Sequence, residues 1–165
     1  MESKVISPMS VSYLMGMLTN GADGITQQEI LKAIGCEGVS VNDLNELYKA
    51  MLLNANHQDK QTTVNIANYI AVNKNFKLNK DFSQQVSDGY QAGIESLDFT
   101  SSKSTDRING WCKEKTNGMI PRIIDQVSAD AVSYLMNAIY FKGTWQNKFN
   151  AKDTKQENFR GYTRD

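Results

Sequence analysis

The residue types that most often carry catalysis or bind metal ions are scarce in this chain. Its one histidine, His57, lies in the polar run NANHQDK, and its two cysteines, Cys36 and Cys112, are far apart in the sequence. Zinc and non-haem iron sites need several His, Cys or carboxylate ligands at characteristic spacings, and no His cluster or Cys-x-x-Cys pair occurs. We therefore expect no metal and no cofactor.

Motifs of nucleophilic catalysis and phosphate binding are also absent. The sequence has no Gly-x-Ser-x-Gly elbow, no Ser-x-x-Lys pair, no P-loop and no Gly-x-Gly-x-x-Gly run. A serine or cysteine nucleophile would have to recruit His57 from its polar loop as a base, and nothing in the surrounding sequence argues for this. We expect that the protein is not an enzyme and that no residue of this chain is catalytic.

The charge of the chain is balanced and evenly spread. It has 18 basic and 18 acidic side chains, and 40% of its residues are apolar. Nucleic acids and anionic membranes attract clustered Lys and Arg, and here no basic run exceeds two residues. No apolar stretch reaches the length of about 18 residues that spans a bilayer. These features predict a globular protein with no nucleic-acid or membrane partner.

Hydrophobic periodicity predicts an α+β chain with five helices and three strands. The predicted helices are 8–19, 26–34, 41–56, 80–90 and 104–116, and the predicted strands are 64–72, 92–97 and 131–141. The two longer strands are apolar on both faces, which is typical of strands that are covered on both sides. Cys112 falls on the apolar face of its helix and is interpreted as a small buried hydrophobic residue.

Two helix starts carry capping signals. Ser7 followed by Pro8 is typical of an N-cap and a first helical residue. Thr26 and Glu29 have the spacing of a capping box, which places the start of the second helix at Thr26. The residues predicted to face the core from the first helix are Val11, Leu14, Met15 and Leu18.

Four segments of the sequence resemble the serpin family, in the order and at the spacing of that family. They are ISPMS at 6–10 with GADGIT at 21–26, ANYI at 67–70 with NFKL at 75–78, INGW at 108–111 with TNGMI at 116–120, and MNAIYFKGTW at 136–145. The last segment is the most specific, and the four together cover nearly the whole chain. The sequence is therefore identified as a member of the serpin family.

The resemblance implies that the predicted elements are helices B to F and the first three strands of the large central sheet A. Helix 8–19 would pack beneath the sheet, and the amphipathic helix 104–116 would cross above it. Residues 1–165 would then be the N-terminal part, less than half, of a single serpin domain. Helix A and the C-terminal half, with the reactive loop, would lie outside this chain, so the domain here is incomplete.

The resemblance also assigns structural sites. In serpins the residue matching Asn137 hydrogen-bonds beneath the sheet with the hydroxyls that match Ser7 and Ser10, in a cluster called the shutter, where strands part. Asn137 interrupts an apolar strand and needs such partners, because an unpaired buried amide costs about 1–3 kcal/mol. Trp145 matches the tryptophan of the breach, at the top of the sheet, where insertion begins. Purely structural roles stay open: capping and fold for the polar residues, core packing for Trp145.

The function implied by the family is the trapping of serine or cysteine proteases. A protease cuts the reactive loop and is held as an acyl-enzyme while the loop inserts into the sheet as an extra strand. Some serpins are instead carriers, storage proteins or chaperones, and this alternative stays open. The usual location is extracellular or periplasmic, although residues 1–6 show no apolar stretch of a signal peptide.

Two further expectations concern partners. Helix 41–56 carries a net negative set of charges, so heparin is not expected to bind there. Strand 131–141 would be paired on one side only, and its free edge would lack Pro and charge until Lys142. Such an edge favours pairing with another chain or with the remainder of the domain.

Overall fold

The computed structural model describes residues 6–55 and 61–158, so His57 lies outside the described part of the chain. All the predicted helices and strands are present, with ends that differ by a few residues. The helices are α1 (Pro8–Thr19), α2 (Gly24–Ala33), α3 (Val41–Ala55), α4 (Lys80–Tyr90) and α5 (Ser102–Lys115). The strands are β1 (Thr62–Asn73), β2 (Gly93–Leu97) and β3 (Ser133–Gly143), and a short 3-10 helix follows at Ala151–Asp153.

The three strands form one mixed sheet in the order β2–β1–β3. β1 pairs in parallel with β2 and antiparallel with β3. The antiparallel register places Asn68 opposite Asn137 and Ile70 opposite Leu135. β3 lies at one edge, and no strand among the described residues pairs with its outer side. The predicted α+β class is therefore confirmed.

Helices cover both faces of the sheet, as predicted. Beneath it, α1, α3 and α4 enclose a core that includes Ile70 of β1. Above it, α5 packs through Ile108 and Cys112 on a second core that includes Tyr69 and Met136 of the strands. The thiol of Cys112 is free, and burial raises its pKa, which confirms its interpretation as a small buried hydrophobic residue.

The face that α1 turns toward the core differs from the predicted one. Val11 and Leu18 are 52% and 41% exposed, whereas Tyr13 and Met17 are completely buried. The helix is apolar almost all round, and periodicity alone does not distinguish its two sides in such a helix. The prediction for Val11 and Leu18 was therefore wrong.

Close packing around Gly16 explains which side of α1 is buried. A Cβ added at Gly16 would lie 2.7 Å from the ring of Tyr48 and 2.7 Å from the hydroxyl of Tyr90. Tyr13 joins the same cluster, with ring centroids 4.9 Å from Tyr48, which in turn lies 5.3 Å from Tyr90. Burial raises the pKa of Tyr13 to about 12. Only glycine lets the aromatic rings approach the helix backbone this closely.

The start of α2 also differs from the prediction. The helix begins at Gly24, and Asp23 is its N-cap, with a carboxylate oxygen that accepts the Gly24 N–H at 2.7 Å. A carboxylate at this position is a better cap than a threonine hydroxyl and also interacts favourably with the helix dipole. The helix therefore starts before Thr26, and the predicted capping box of Thr26 and Glu29 does not mark its N-terminus.

We predict that Gly16→Ala lowers the free energy of unfolding by about 1–3 kcal/mol, because the added methyl group overpacks the tyrosine cluster. Gly110→Ala on α5 is the matched control, since no atom lies within 4 Å of an added Cβ there. Removing a helical glycine at that position should leave stability unchanged or raise it by up to about 1 kcal/mol. Denaturant unfolding of both variants provides the measurement. Equal effects of the two substitutions would contradict the packing argument.

Candidate functional site

A chain of side-chain hydrogen bonds crosses the lower face of the sheet from β3 to the end of α4. The Asn137 Nδ2 donates to Asn68 Oδ1 at 2.9 Å and, at 3.4 Å, to the Ala67 carbonyl. The Asn68 Nδ2 in turn donates to the Tyr90 carbonyl at 2.8 Å. Tyr90 is the last residue of α4, and carbonyls in the last turn of a helix receive no hydrogen bond from within the helix. The chain therefore ties the position of β3 to that of α4 through β1.

The expected hydrogen bonds between Asn137 and the two serines are not present among the described residues. Instead, Ser10 donates to Ser7 Oγ through its backbone N–H at 3.3 Å and through its hydroxyl at 3.0 Å, and Ser7 caps α1. Asn137 lies directly opposite Asn68 in the strand register, so the nearest amide engages its side chain. This pairing corrects the predicted partners of Asn137, and the capping role expected for Ser7 is observed.

One acceptor in this series of hydrogen bonds has no donor. Among the described residues, Asn137 Oδ1 is buried and has no hydrogen-bond partner. A buried acceptor in this state costs about 1–3 kcal/mol. The lower face beside β3 can therefore accept one further donor, next to the edge that has no paired strand.

The outer edge of β3 is long, apolar and accessible to pairing. Within the strand, the first charged residue is Lys142, one position before the end at Gly143. Backbone N–H and C=O groups on such an edge are a template for an added strand.

Trp145 lies two positions beyond the end of β3. It is 70% exposed and makes an edge-to-face contact with Phe149, with ring centroids 5.7 Å apart. Packing in the core, one of the two interpretations of this residue, is thus not what the structure shows. Its position next to the end of the edge strand agrees with the other interpretation, that it marks the breach, which stays a prediction.

On the upper face, a charged pair attaches α5 to β2. The Arg107 guanidinium binds both carboxylate oxygens of Glu95, at 3.1 Å through Nε and 2.7 Å through an Nη. The Tyr69 hydroxyl donates to the same carboxylate at 2.8 Å, and the Tyr69 ring stacks on Trp111 with centroids 5.1 Å apart. The hydrogen bond from Arg107 is the main cause that lowers the pKa of Glu95, while burial raises the pKa of Tyr69.

No arrangement for metal binding is found in the described residues. No group of three or more His, Cys, Asp or Glu side chains in residues 6–55 and 61–158 could hold a metal ion. Within the same ranges, no helix has the length and apolar character needed to cross a bilayer. The interpretation of His57 lies outside the described residues.

Sequence reasoning missed three residues of these sites. Asn68 interrupts an apolar strand just as Asn137 does, and this shared signal could have paired the two if the register had been known. Glu95 and Arg107 come from separate elements, and no local pattern connects them. Their pairing depends on where α5 crosses the sheet, which only the tertiary structure gives.

Comparison with known proteins decides the family. The family model for serpin (serine protease inhibitor) matches residues 2–164. The chain belongs to the serpin family. The predicted family is therefore confirmed, and the three strands with their covering helices are a part of the serpin fold.

Individual serpins are similar to this chain over part of their length. Serine protease inhibitor 42Dd of Drosophila melanogaster is 31% identical over 161 residues, which cover 96% of this chain and 43% of that protein. The thermophilic serpin tengpin in its latent state is 34% identical with a TM-score of 0.85, over 92% of this chain and 41% of tengpin. Thyroxine-binding globulin in complex with thyroxine is 26% identical with a TM-score of 0.82, over 93% and 42%. The chain spans less than half the length of each.

We predict that Asn68→Ala and Asn137→Ala each lower the free energy of unfolding of the serpin by about 1–3 kcal/mol, because each leaves buried polar groups unpaired. The effect of Asn68→Ala should be the larger, since Asn68 also binds the Tyr90 carbonyl. In a double-mutant cycle the two effects should couple by at least about 0.5 kcal/mol. Additive effects would show that the two amides do not depend on one another.

A second prediction concerns the pH dependence of the charged pair. Because the folded-state pKa of Glu95 is lowered, its contribution to stability is present above the ordinary carboxyl range and is lost as the pH falls through the lowered value. The destabilisation caused by Glu95→Gln should therefore be larger at pH 7 than at pH 3. Urea unfolding at both values measures the difference. In an Arg107→Met background this pH dependence should largely disappear, and its persistence would assign it to another partner.

Proposed function

We propose that the whole protein is an inhibitor that traps serine or cysteine endopeptidases by adding a strand to its own sheet. The observation that carries the proposal is the match of residues 2–164 to the family model for serpin (serine protease inhibitor). The apolar strand β3 and the buried acceptor on Asn137 beside it are compatible with strand addition at this part of the sheet. The protein would be consumed as a substrate and is not itself a catalyst.

In this proposal residues 1–165 are the N-terminal part of one serpin domain, and the rest of the whole protein supplies the reactive loop. The nucleophile of the protease attacks a carbonyl of that loop, the peptide bond breaks, and the amine leaves with the proton. An ester or thioester then joins the two proteins. Insertion of the cut loop beside β3 traps the protease before water hydrolyses this bond.

The shutter and the breach remain part of the proposal in modified form. We place Asn137 and Asn68 at the centre of the shutter, because their bond lies beneath the strand that would receive the new neighbour. Ser7 and Ser10, which bind each other at the start of α1, would engage Asn137 only in another conformation of the sheet. Trp145, exposed just beyond β3, would mark the breach.

A binding or carrier serpin is the second candidate function. The observation in its favour is the similarity to thyroxine-binding globulin, whose solved structure contains thyroxine and matches this chain with a TM-score of 0.82. Under this alternative the β3 edge would stay closed by its own domain. The two candidates differ in whether a cut loop enters the sheet.

The partners proposed for the whole protein follow from charge. A protease would bind through the reactive loop, and neither nucleic acid nor a membrane is proposed, because basic residues are not clustered. Heparin is not proposed either, since Lys49 of α3 is paired with Glu46 at 3.7 Å and faces no second cation on that helix. The location proposed from the family is extracellular or periplasmic.

We predict that the full-length protein, incubated with a panel of serine and cysteine proteases, forms an adduct that survives SDS with at least one of them. Loop cleavage should also raise the thermal unfolding midpoint, because an added strand satisfies the β3 edge. A protease inactivated at its nucleophile is the control and should form no adduct. Clean cleavage with neither an adduct nor a rise in the midpoint would favour the carrier function.

A further inference from the structure

Five dipeptides of the sequence place a glycine directly after Asn or Asp. In such a pair the backbone nitrogen of the glycine can attack the side-chain carbonyl carbon of the residue before it, because glycine leaves the approach unhindered. The product is a succinimide ring, which water opens to aspartate or to isoaspartate. The pairs are Asn20–Gly21, Asp23–Gly24, Asp88–Gly89, Asn109–Gly110 and Asn117–Gly118.

The folded structure decides which of these pairs can react. The glycine nitrogen must give up its proton as it bonds to carbon, and a hydrogen bond from that N–H to a distant acceptor opposes this step. The nitrogen must also lie next to the side-chain carbon, since close approach of the reacting groups is what makes an intramolecular reaction fast. The five pairs can therefore be compared by where each glycine N–H points.

In the three Asn–Gly pairs the glycine N–H donates away from the asparagine side chain. The Gly21 N–H donates to the Leu18 carbonyl at 2.9 Å. The Gly118 N–H donates to the Lys113 carbonyl at 2.7 Å. Gly110 lies inside α5, where each N–H donates to the carbonyl four residues earlier. Each of these nitrogens could react only after a helix or its end had opened.

Two of the three asparagine side chains are also held. The Asn20 Nδ2 donates to the Gly16 carbonyl at 2.9 Å and to Asn45 Oδ1 at 3.0 Å. The side chain of Asn109 binds the backbone of residues 123–124 through both of its polar atoms. An amide held in this way cannot turn toward the nitrogen that follows it without losing these bonds.

The pair Asp88–Gly89 lies inside α4, so the Gly89 N–H belongs to the hydrogen bonds of the helix. The Asp88 carboxylate accepts the Gln84 Nε2 at 2.8 Å. Gly89 packs so closely on α3 that an added Cβ would lie 3.2 Å from the Cβ of Asn45. We therefore expect this pair to be unreactive as long as α4 is folded.

Asp23–Gly24 differs from the other four pairs. Gly24 is the first residue of α2, so its N–H has no acceptor within the helix. This N–H donates to Asp23 Oδ1 at 2.7 Å. The carboxyl carbon that would be attacked is one bond away from this oxygen, and the side chain is exposed to water. The two groups that would react are therefore neighbours in the folded protein.

This contact is unusual for a helix cap. The side chain of an N-cap ordinarily accepts the second or third N–H of its helix. The caps of the other α-helices do so, namely Ser7, Ser40, Asn79 and Ser101. Asp23 accepts the first N–H instead, and Gly24 has a φ of 56°, which residues with a Cβ rarely adopt. The backbone thus requires glycine at the position where glycine also favours ring closure.

Gln27 fixes the backbone on both sides of Asp23. Its Nε2 donates to the Ala22 carbonyl at 2.8 Å and to the Thr19 carbonyl at 3.2 Å. Its backbone N–H donates to the Asp23 carbonyl at 3.5 Å. The peptide groups before and after Asp23 are therefore held by one residue of α2. Gln27 is the positioning residue of this pair, because it keeps the carboxyl group and the Gly24 nitrogen together.

We propose that Asp23 is a site of spontaneous covalent modification, at which the folded protein forms a succinimide and then isoaspartate. The Gly24 nitrogen bonds to the carboxyl carbon of protonated Asp23, a C–O bond breaks, and the oxygen leaves as water with the amide proton and the carboxyl proton. Water then adds to one ring carbonyl, and the C–N bond of that carbonyl breaks. If this is the original peptide bond, the main chain continues through the former side chain as isoaspartate.

The modification would change the start of α2. Isoaspartate lengthens the main chain by one carbon between α1 and α2 and removes the carboxylate that accepts the Gly24 N–H. The modified fraction should therefore unfold at a lower denaturant concentration than the fresh protein. The proposal does not depend on the function proposed above, since it concerns a reaction within one chain.

The test is incubation of the folded full-length protein in mildly acidic water enriched in heavy oxygen, followed by peptide mapping in ordinary water. Each passage through a succinimide places one heavy oxygen in the product, and mass-spectrometric fragmentation assigns the residue that carries it. We expect label to accumulate at Asp23 at least about fivefold faster than at Asp88. Label at Asn20, Asn109 and Asn117 should also stay below that at Asp23.

The same incubation in concentrated urea is the control for intrinsic reactivity. Once the fold is lost, Asp23 and Asp88 should be labelled at rates within about twofold of one another, because both precede glycine in a disordered chain. A preference for Asp23 that persists in urea would assign it to the local sequence. That result, or equal labelling of Asp23 and Asp88 in the folded protein, would overturn the inference.

Two variants test the geometry. Gln27→Ala frees the Ala22 carbonyl and should slow labelling of Asp23 by about threefold or more, with Asp88 unchanged. Faster labelling in this variant would show that the native contacts protect Asp23, and would contradict the proposal. Asp23→Ser keeps a capping oxygen but cannot form a succinimide, so it should abolish the fraction with lower stability. If Gln27→Ala does not fold, the comparison of folded and urea-treated protein still decides.

Discussion

Strand β1 is covered on both faces, and this double burial constrains the rest of the structure. Tyr69 points to the upper core and Ile70 to the lower one, and both are almost completely buried. From Asn68 to Asn73 the strand is buried throughout, so every polar side chain in that half needs a protein partner. The side chains of β1 therefore help to fix the positions of the helices that pack beneath and above the sheet.

Asn68 shows how this constraint leads to a link between elements. Its side chain joins Asn137 on β3 to the Tyr90 carbonyl at the end of α4, and no water-exposed alternative is available to it. Replacing both amides with apolar residues of similar shape would remove the buried polar groups that need this hydrogen bond. It would also remove the preference for one strand register that the hydrogen bond provides. Buried amides of this kind favour one alignment of strands over others, because a shifted register leaves them unpaired.

The sequence was sufficient to predict the helices and strands, but not to predict which side chains contact one another. Period and capping residues located all the helices and strands, since these signals are local. The buried side of α1 was not predictable from its own residues, because the deciding contact is between Gly16 and two tyrosines from α3 and α4. The partner of Asn137 was likewise assigned to Ser7 and Ser10 by family resemblance, whereas the strand register brings Asn68 closer.

The two flanks of α5 are attached by interactions of different kinds, and this difference has a physical consequence. The Arg107–Glu95 pair is partly exposed, so salt screens it and acid removes it. The bonds of Asn109 with the backbone of Ile123 and Ile124 are between neutral groups, which salt and pH between 5 and 8 leave nearly unchanged. High ionic strength therefore weakens the contact of α5 with β2 and leaves its contact with residues 123–124 intact. The helix itself stays on the sheet in that regime, because Ile108 and Cys112 remain buried against Tyr69 and Met136.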